Sequence, residues 1–493
     1  MAGEKIYLNN IDNPALPVQL GAFGELITAH KTPVVQISNR YQLDPSNVNT
    51  LEVFEATGGN GTNNGNLFQC STGTSLGGYG VVRSKNTLNY RAGQGVEAQF
   101  TAKFTTGVAL SLQFGGMFSL TETLAFGYDG VNFSTLHSYG GAAEVQLLTV
   151  TATGAGTTTI TLDGDSVGIT TTAGTVQTVA EELRVGLAAD GTLGAKWRFE
   201  QIDDKVYCIS QSVGNKTGTM SATGASTVTI SEQTAGVVKT DNHVAQSSWS
   251  ETTTPFVGFD PTKLNIYKVE YGYLGSANIN YSIYDPNNGS WVLVNVIRWA
   301  NNNNGTSLGS PDLKIGWTSA SLGATGTNLI VEGASASMMI EGDERLTNDT
   351  HATSASQGSV GTTATNVLSL KNRVVFGDRY NLGKIKPLRL SVDNDHTKGV
   401  IIEILKNPVI GGVTNYQLVD EFNSVAAVDS DGTTITGGEL IDGFTIEAGG
   451  SATINLEGVT PDIFPEDILV ISARTASGSG ATITSIITWR EDK

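Results

Sequence analysis

The chain has 493 residues, length for about three domains at roughly 100–200 residues each, and 47 Asp plus Glu against 29 Lys plus Arg leave a formal charge of −18. No stretch gathers enough basic residues to track a phosphate backbone, so nucleic acid is excluded as the expected partner. Only 15% of residues are charged and 59 are glycine, with Thr, Ser and Asn abundant; this is the chemistry of short strands joined by tight turns, and a mainly β chain is predicted.

Residues 1–50 read as an extended N-terminal arm, because Pro14, Pro17, Pro33 and Pro45 each block a helix or a central-strand hydrogen bond. The opening MAGEKIYLNNIDNPALP holds no apolar run of signal-peptide length, and no segment approaches the ~20 apolar residues of a membrane span. A chain made without a secretion signal and without a membrane partner is expected. From 51 to 146 strands follow one another. In GVEAQFTAKF, Val96, Ala98, Phe100, Ala102 and Phe104 share one face while Glu97, Gln99, Thr101 and Lys103 take the other. Asp129-Gly130 supplies a hairpin turn inside TLAFGYDGVNFSTLH.

Between 147 and 246 the composition shifts to Thr-rich strands around Gly154–Gly156, followed by a change of period. Val176, Val179, Ala180, Leu183 and Leu187 recur at three- and four-residue intervals, which predicts a helix. This segment reads as a small inserted α+β domain. Strand patterning resumes from 247 to 346, where Ile279, Tyr281 and Ile283 alternate before the Asp285–Gly289 turn and a returning strand from Trp291. With 51–146 it makes one jelly-roll or concanavalin-like β-sandwich. Residues 347–366, TNDTHATSASQGSVGTTATN, are small and polar and read as a linker. Six further strand-like runs over 367–493 predict a C-terminal β-sandwich.

Candidate chemistry is sparse. The five histidines, His30, His137, His243, His351 and His396, show no pair at metal-ligand spacing, and no metal or cofactor is expected. Cys70 and Cys208 are an isolated pair, not a disulfide framework. Gly93-Gln94-Gly95 lacks the third glycine of a dinucleotide loop. Asp429-Ser430-Asp431-Gly432 imitates the start of a calcium loop, but Thr434 stands where the sharp turn needs glycine; a hairpin turn is the plainer reading, as it is for Asp163-Gly164-Asp165. The aromatic residues are the binding candidates. Tyr267, Tyr271 and Tyr273 alternate on one face, with Tyr281 and Tyr284 nearby. Cross-strand packing in a core is the first reading of that spacing, and a glycan or interface platform is the functional one.

The phrases GAFGELITAHKTPVVQISNRYQLDPSNV, YRAGQGVEAQFTAKFTTGVA and LNIYKVEYGYLGSANINYSIYDPNNGSWVLVNVIRWAN resemble virion structural proteins of tailed bacteriophages and large DNA viruses of aquatic hosts, of the minor capsid, tail or fibre type. The stretch LKNRVVFGDRYNLGKIKPLRLSVDNDHTKGVIIEILKNP, with the closing TITSIITWRED, is similar to a β-sandwich module of the same proteins. The resemblance implies a place in the virion and a role in capsid or tail decoration or as a fibre, through contacts with other virion proteins and not through catalysis. By analogy with viral fibres it implies a homo-oligomer, with a trimer expected. Two alternatives stay open: a receptor-binding protein that takes a host-surface glycan through the 150–250 insert or the 367–493 sandwich, and a polysaccharide depolymerase, which needs two carboxylates about 5–10 Å apart.

Overall fold

The computed structural model describes residues 31–88, 90–272, 274–342, 349–377 and 379–493. The chain divides into two compact units, Met1–Tyr139 with Asp241–Arg345 and Gly140–Thr240 with Leu346–Lys493.

In the first unit the alternation of Val96–Phe104 does what its pattern dictates: the five apolar side chains are buried, while Gln99, Thr101 and Lys103 are half-buried on the outer face. That strand pairs antiparallel with Asn265–Tyr271 on one side and with Ser335–Glu341 and Ile330–Gly333 on the other. Ile279–Asp285 and Ser290–Ile297 extend the sheet as the expected hairpin. A second antiparallel sheet runs in the order Asn132–Tyr139, Thr123–Asp129, Ser111–Phe118, Lys314–Ser321, Tyr79–Ser84, Leu51–Ala56. Its first hairpin turns through Gly130, as Asp129-Gly130 predicted. The inner faces of the two sheets meet in one apolar cluster that includes Phe100, Phe104, Phe126, Tyr267 and Trp317. Trp317 reaches its place because Gly333 has no side chain there; a Cβ would lie 2.2 Å from the indole, whose Nε1 donates to the Thr101 carbonyl at 2.8 Å. Two facing antiparallel sheets with crossing connections make a jelly-roll-type β-sandwich.

The second unit joins two modules. Ala143–Ala152 lies between Lys205–Val213 and Thr227–Thr234, with Trp197–Ile202 beyond. Gly156–Leu162 pairs with Asp165–Thr171 and Ser221–Gly224. The predicted helix spans Val176–Ala189, starts at a Thr175 cap whose hydroxyl accepts from the Thr178 N–H, and buries Val179, Ala180, Leu183 and Leu187. The C-terminal sandwich stacks a four-stranded sheet (Thr350–Val360, Ala481–Asp492, Lys384–Asn394, Ser451–Asn455) on a six-stranded one centred on Thr365–Asn372 and Ile468–Thr475.

Two expectations are corrected. Lys31–Ser38 is a strand paired with Ser335–Glu341, not part of an arm; its ladder absorbs Pro33 at a register shift, and Pro45 opens a short 3₁₀ turn. The rest of the expected arm, residues 1–30, lies outside the described residues. The expected linker at 347–366 contains the eleven-residue strand Thr350–Val360. Its side chains are mostly Ser, Thr and Ala, with Ala355 against the core and Val360 buried in it; its backbone pairs along Ala481–Asp492, so ladder hydrogen bonds add to the little apolar burial it has.

Candidate functional site

Tyr267, Tyr271 and Tyr281 are enclosed in the first unit's core, so they form no exposed platform. The cause is the facing sheet: Phe126 lies 4.9 Å from Tyr267 and 5.4 Å from Tyr281, ring centre to ring centre. Tyr271 donates to the Pro311 carbonyl and Tyr281 to the Leu136 carbonyl, which satisfies both hydroxyls inside the core. Tyr284 is half-buried against Trp291, over which Lys268 also sits. Tyr273 lies outside the described residues.

Three polar groupings carry catalytic or metal-like signatures. Ser138 Oγ lies 3.3 Å from His243 Nε2, and His243 Nδ1 lies 3.0 Å from Asp129 Oδ2. In a hydrolase the carboxylate is buried and the hydroxyl is presented to substrate. Here Ser138 is 1% exposed and the Asp129 side chain 50% exposed, so the order is inverted and the bonds tie a hairpin to its neighbouring strand. Glu97 and Glu270 stand opposite each other in register. Burial opposes the Glu97 charge, yet hydrogen bonds with Glu270 and Lys31 hold its carboxyl below the usual range; burial and Glu97 together push Glu270 up. Lys31 pairs with Glu97 and Lys268 with Glu270, so the carboxylates sit in a mixed-charge cluster, and Glu97, read from sequence as a solvent-face residue, is buried beneath it. Asp429 spends its carboxylate on the N–H groups of Asn415, Asp431 and Gly432, as a turn-holding residue does. Cys70 and Cys208 are free thiols in separate interiors, and burial pushes both up.

The described cavity with converging polar groups lies within the second unit, a cleft of about 480 Å³ where the inserted module meets the C-terminal sandwich. One wall is the helix, from which Arg184 grips Glu181 through Nε and Nη2, both at 2.7 Å. This geometry is bidentate and fixes the guanidinium plane. Arg198, from the strand Trp197–Ile202, pairs with Glu466 and lies 5.7 Å over the Tyr380 ring. Lys371 stands 5.1 Å over the Tyr416 ring and 3.1 Å from Glu200. Glu200 is fully enclosed, and its other oxygen accepts from the Val374 and Val375 N–H groups at 2.9 and 3.2 Å. Burial pushes the Tyr416 hydroxyl up, and it lies beside Ser369 without a hydrogen bond of normal geometry.

Beneath the cleft an apolar seam joins the modules: Val145, Leu147, Ile202, Tyr207 and Ile209 pack with Val374, Val375, Tyr416 and Ala427. Three cations, Arg184, Arg198 and Lys371, and two carboxylates, Glu181 and Glu466, line the cleft, and the third carboxylate, Glu200, is enclosed behind it as the counter-ion of Lys371. Sequence reading missed all six. The Glu181–Arg184 spacing on a helix was a usable signal; the pairing of Lys371 with Glu200 crosses 171 positions and had none.

No protein-family model and no curated protein sequence matches the chain. Among solved structures, lectin II from Ulex europaeus aligns at 6% identity over 63% of this chain and 100% of its own, with a TM-score of 0.25. Arcelin-5, a lectin-like defense protein from Phaseolus vulgaris, aligns at 8% over 64% and 100%, with a TM-score of 0.23. The VP2 protein of infectious bursal disease virus aligns at 12% over 82% and 78%, with a TM-score of 0.08. Likenesses of this size carry no functional argument, and the sandwich class rests on the strand pairing itself.

Proposed function

We propose that the protein is a structural component of a virus particle, acting through contacts with other virion proteins. The observation that carries this reading is the seam in the second unit. An inserted α+β module and a C-terminal sandwich are welded by shared apolar burial and by the enclosed Glu200 clamp into one body. Such a construction resists relative movement of its parts, as a surface that transmits contact requires and a substrate-closing lid does not. The resemblance of the sequence phrases to virion proteins supports the same place. Mass spectrometry of purified particles tests it: the chain is expected in fixed ratio to the major shell or tail protein, and its absence from mature particles overturns the reading.

The cleft favours a second role on the same particle, recognition of a host-surface glycan. Its fixed guanidinium groups, each held by a carboxylate of the lining, match the hydroxyls of a neutral sugar, and many weak copies on one particle would reinforce one another. A glycan array probed with the full chain is expected to show neutral saccharides bound, with Arg184→Ala weakening them about tenfold, the effect of roughly 1.4 kcal/mol. Silence of the wild-type chain across the array removes this role and leaves the structural one standing.

A further inference from the structure

The strand Thr350–Val360 is the outer strand of its four-stranded sheet, and among the described residues its strand partner there is Ala481–Asp492 alone. An edge strand presents every second N–H and C=O outward, ready to pair with another chain. Other edges are guarded. Along Ser290–Ile297, the Glu251 and Thr252 N–H groups donate to the Val294 carbonyl and Ser250 Oγ accepts from the Val296 N–H. In the second unit, Glu439–Ile446 carries Glu439 and Asp442, Thr227–Thr234 carries Glu232, Asp165–Thr171 opens on Asp165, and Ser451–Asn455 is only five residues long. Thr350–Val360, THATSASQGSV, is eleven residues long and holds no Asp, Glu, Lys, Arg or Pro. Its outward-facing side chains Thr350, Ala352, Ser354 and Ser356 are small and exposed.

We infer that this edge is the contact between two copies of the chain, which pair strand to strand, antiparallel, about a two-fold axis at Thr353 or Ser354. Two arguments choose a second copy as the occupant. Antiparallel pairing of a strand with itself is self-complementary, so each residue meets its mate from the other chain on the same face of the sheet. The chain carries a net charge of −18, and like chains approach with least opposition along a segment where no like charges can face each other. Pairing joins two four-stranded sheets into one continuous sheet and satisfies the open ladder on both sides. The bulge at Ser359, where φ is +62°, bends the strand end away and limits the paired stretch to about Thr350–Gln357.

Sedimentation of the full chain at tens of micromolar tests the contact, with a dimer expected. In the double variant A352E/S354E, either axis position sets Glu against Glu on the exposed face, so a monomer is expected, with the melting temperature that the wild type shows when diluted until it too is a monomer. A wild-type monomer or trimer, or a variant that stays dimeric, overturns the inference. Hydrogen exchange gives a readout that needs no variant: outward N–H groups within Thr350–Gln357 become protected as concentration rises. Exchange there that does not depend on concentration overturns it as well.

Discussion

The two compact units build their interiors from different side chains. Phe100, Phe104, Phe126, Phe133, Tyr267, Tyr281 and Trp249 are linked by ring contacts in the first, and Trp317 packs on Phe68 in the same cluster. In the second, the C-terminal sandwich is filled by Val, Ile, Leu and Ala, with Trp489 the one enclosed aromatic member of that cluster, and separate smaller clusters serve the inserted module and the seam. Large rings reach across a sandwich and make a single cooperative core. Aliphatic chains fill the C-terminal sandwich as one cluster from both of its sheets, and the second unit adds buried polar groups where its parts meet: Glu200 across the seam, and Asn372 and Asn381 linked to each other and to the Gly383, Ile463 and Arg373 carbonyls. Loss of one ring should be spread through a large core, whereas loss of one clamp should be decisive.

The sharpest way to break this comparison is Glu200→Ala. It orphans the Val374 and Val375 N–H groups and leaves Lys371 without its counter-ion, and removal of one partner from a buried pair costs roughly 3–5 kcal/mol. Native-state hydrogen exchange is expected to show the second unit opening at lower denaturant while the first is unchanged; equal loss in both units would show that the clamp is not specific to the seam.

A titration probes the aromatic core from its polar margin. His137 is enclosed between Tyr139 and Trp299, and burial, with His243 nearby, pushes its ring from the ordinary 6.5 down to about 4. The folded state therefore binds the proton less readily than the unfolded state. The stability of the neutral ring is complete above pH 6.5 and is lost as pH falls toward and through about 4. Melting temperature against pH should show this slope in the wild type and lose it in His137→Gln; an unchanged slope in the variant assigns the loss to other groups.

The smallest effects separate ring from hydroxyl. Tyr281→Phe removes a hydrogen bond to the Leu136 carbonyl and is expected to cost about 1 kcal/mol. The Tyr267 hydroxyl is buried beside Asn265 without a hydrogen bond of normal geometry, so Tyr267→Phe is expected to cost nothing or to stabilise by about 1 kcal/mol. Denaturant midpoints of the two variants check the difference. Equal costs would mean that the core values these residues for their rings alone.

Local patterns announced the local structure. Alternation placed Val96–Phe104, the three- and four-residue interval placed the helix to within a residue at its start, and Asp129-Gly130 and Asp285–Gly289 marked two real hairpins. These signals are legible because side-chain direction within a strand or helix depends only on neighbours in the chain. The same alternation that marked the tyrosines could not say which face of the sheet meets the other sheet, and that face is the one that buries Tyr267, Tyr271 and Tyr281.

The sequence by itself determined that this chain is built mainly of short strands joined by tight turns, and where the long helix of the described residues lies. Only the tertiary structure decided that Thr350–Val360 is a strand, that Glu200 and Lys371 meet, and that a cleft forms between an insertion and a distant sandwich. The physical reason is range. Backbone geometry and amphipathic period act over a few residues, whereas ladder pairing, buried ion pairs and cavities are set by segments more than a hundred positions apart, whose meeting depends on the packing of everything between them.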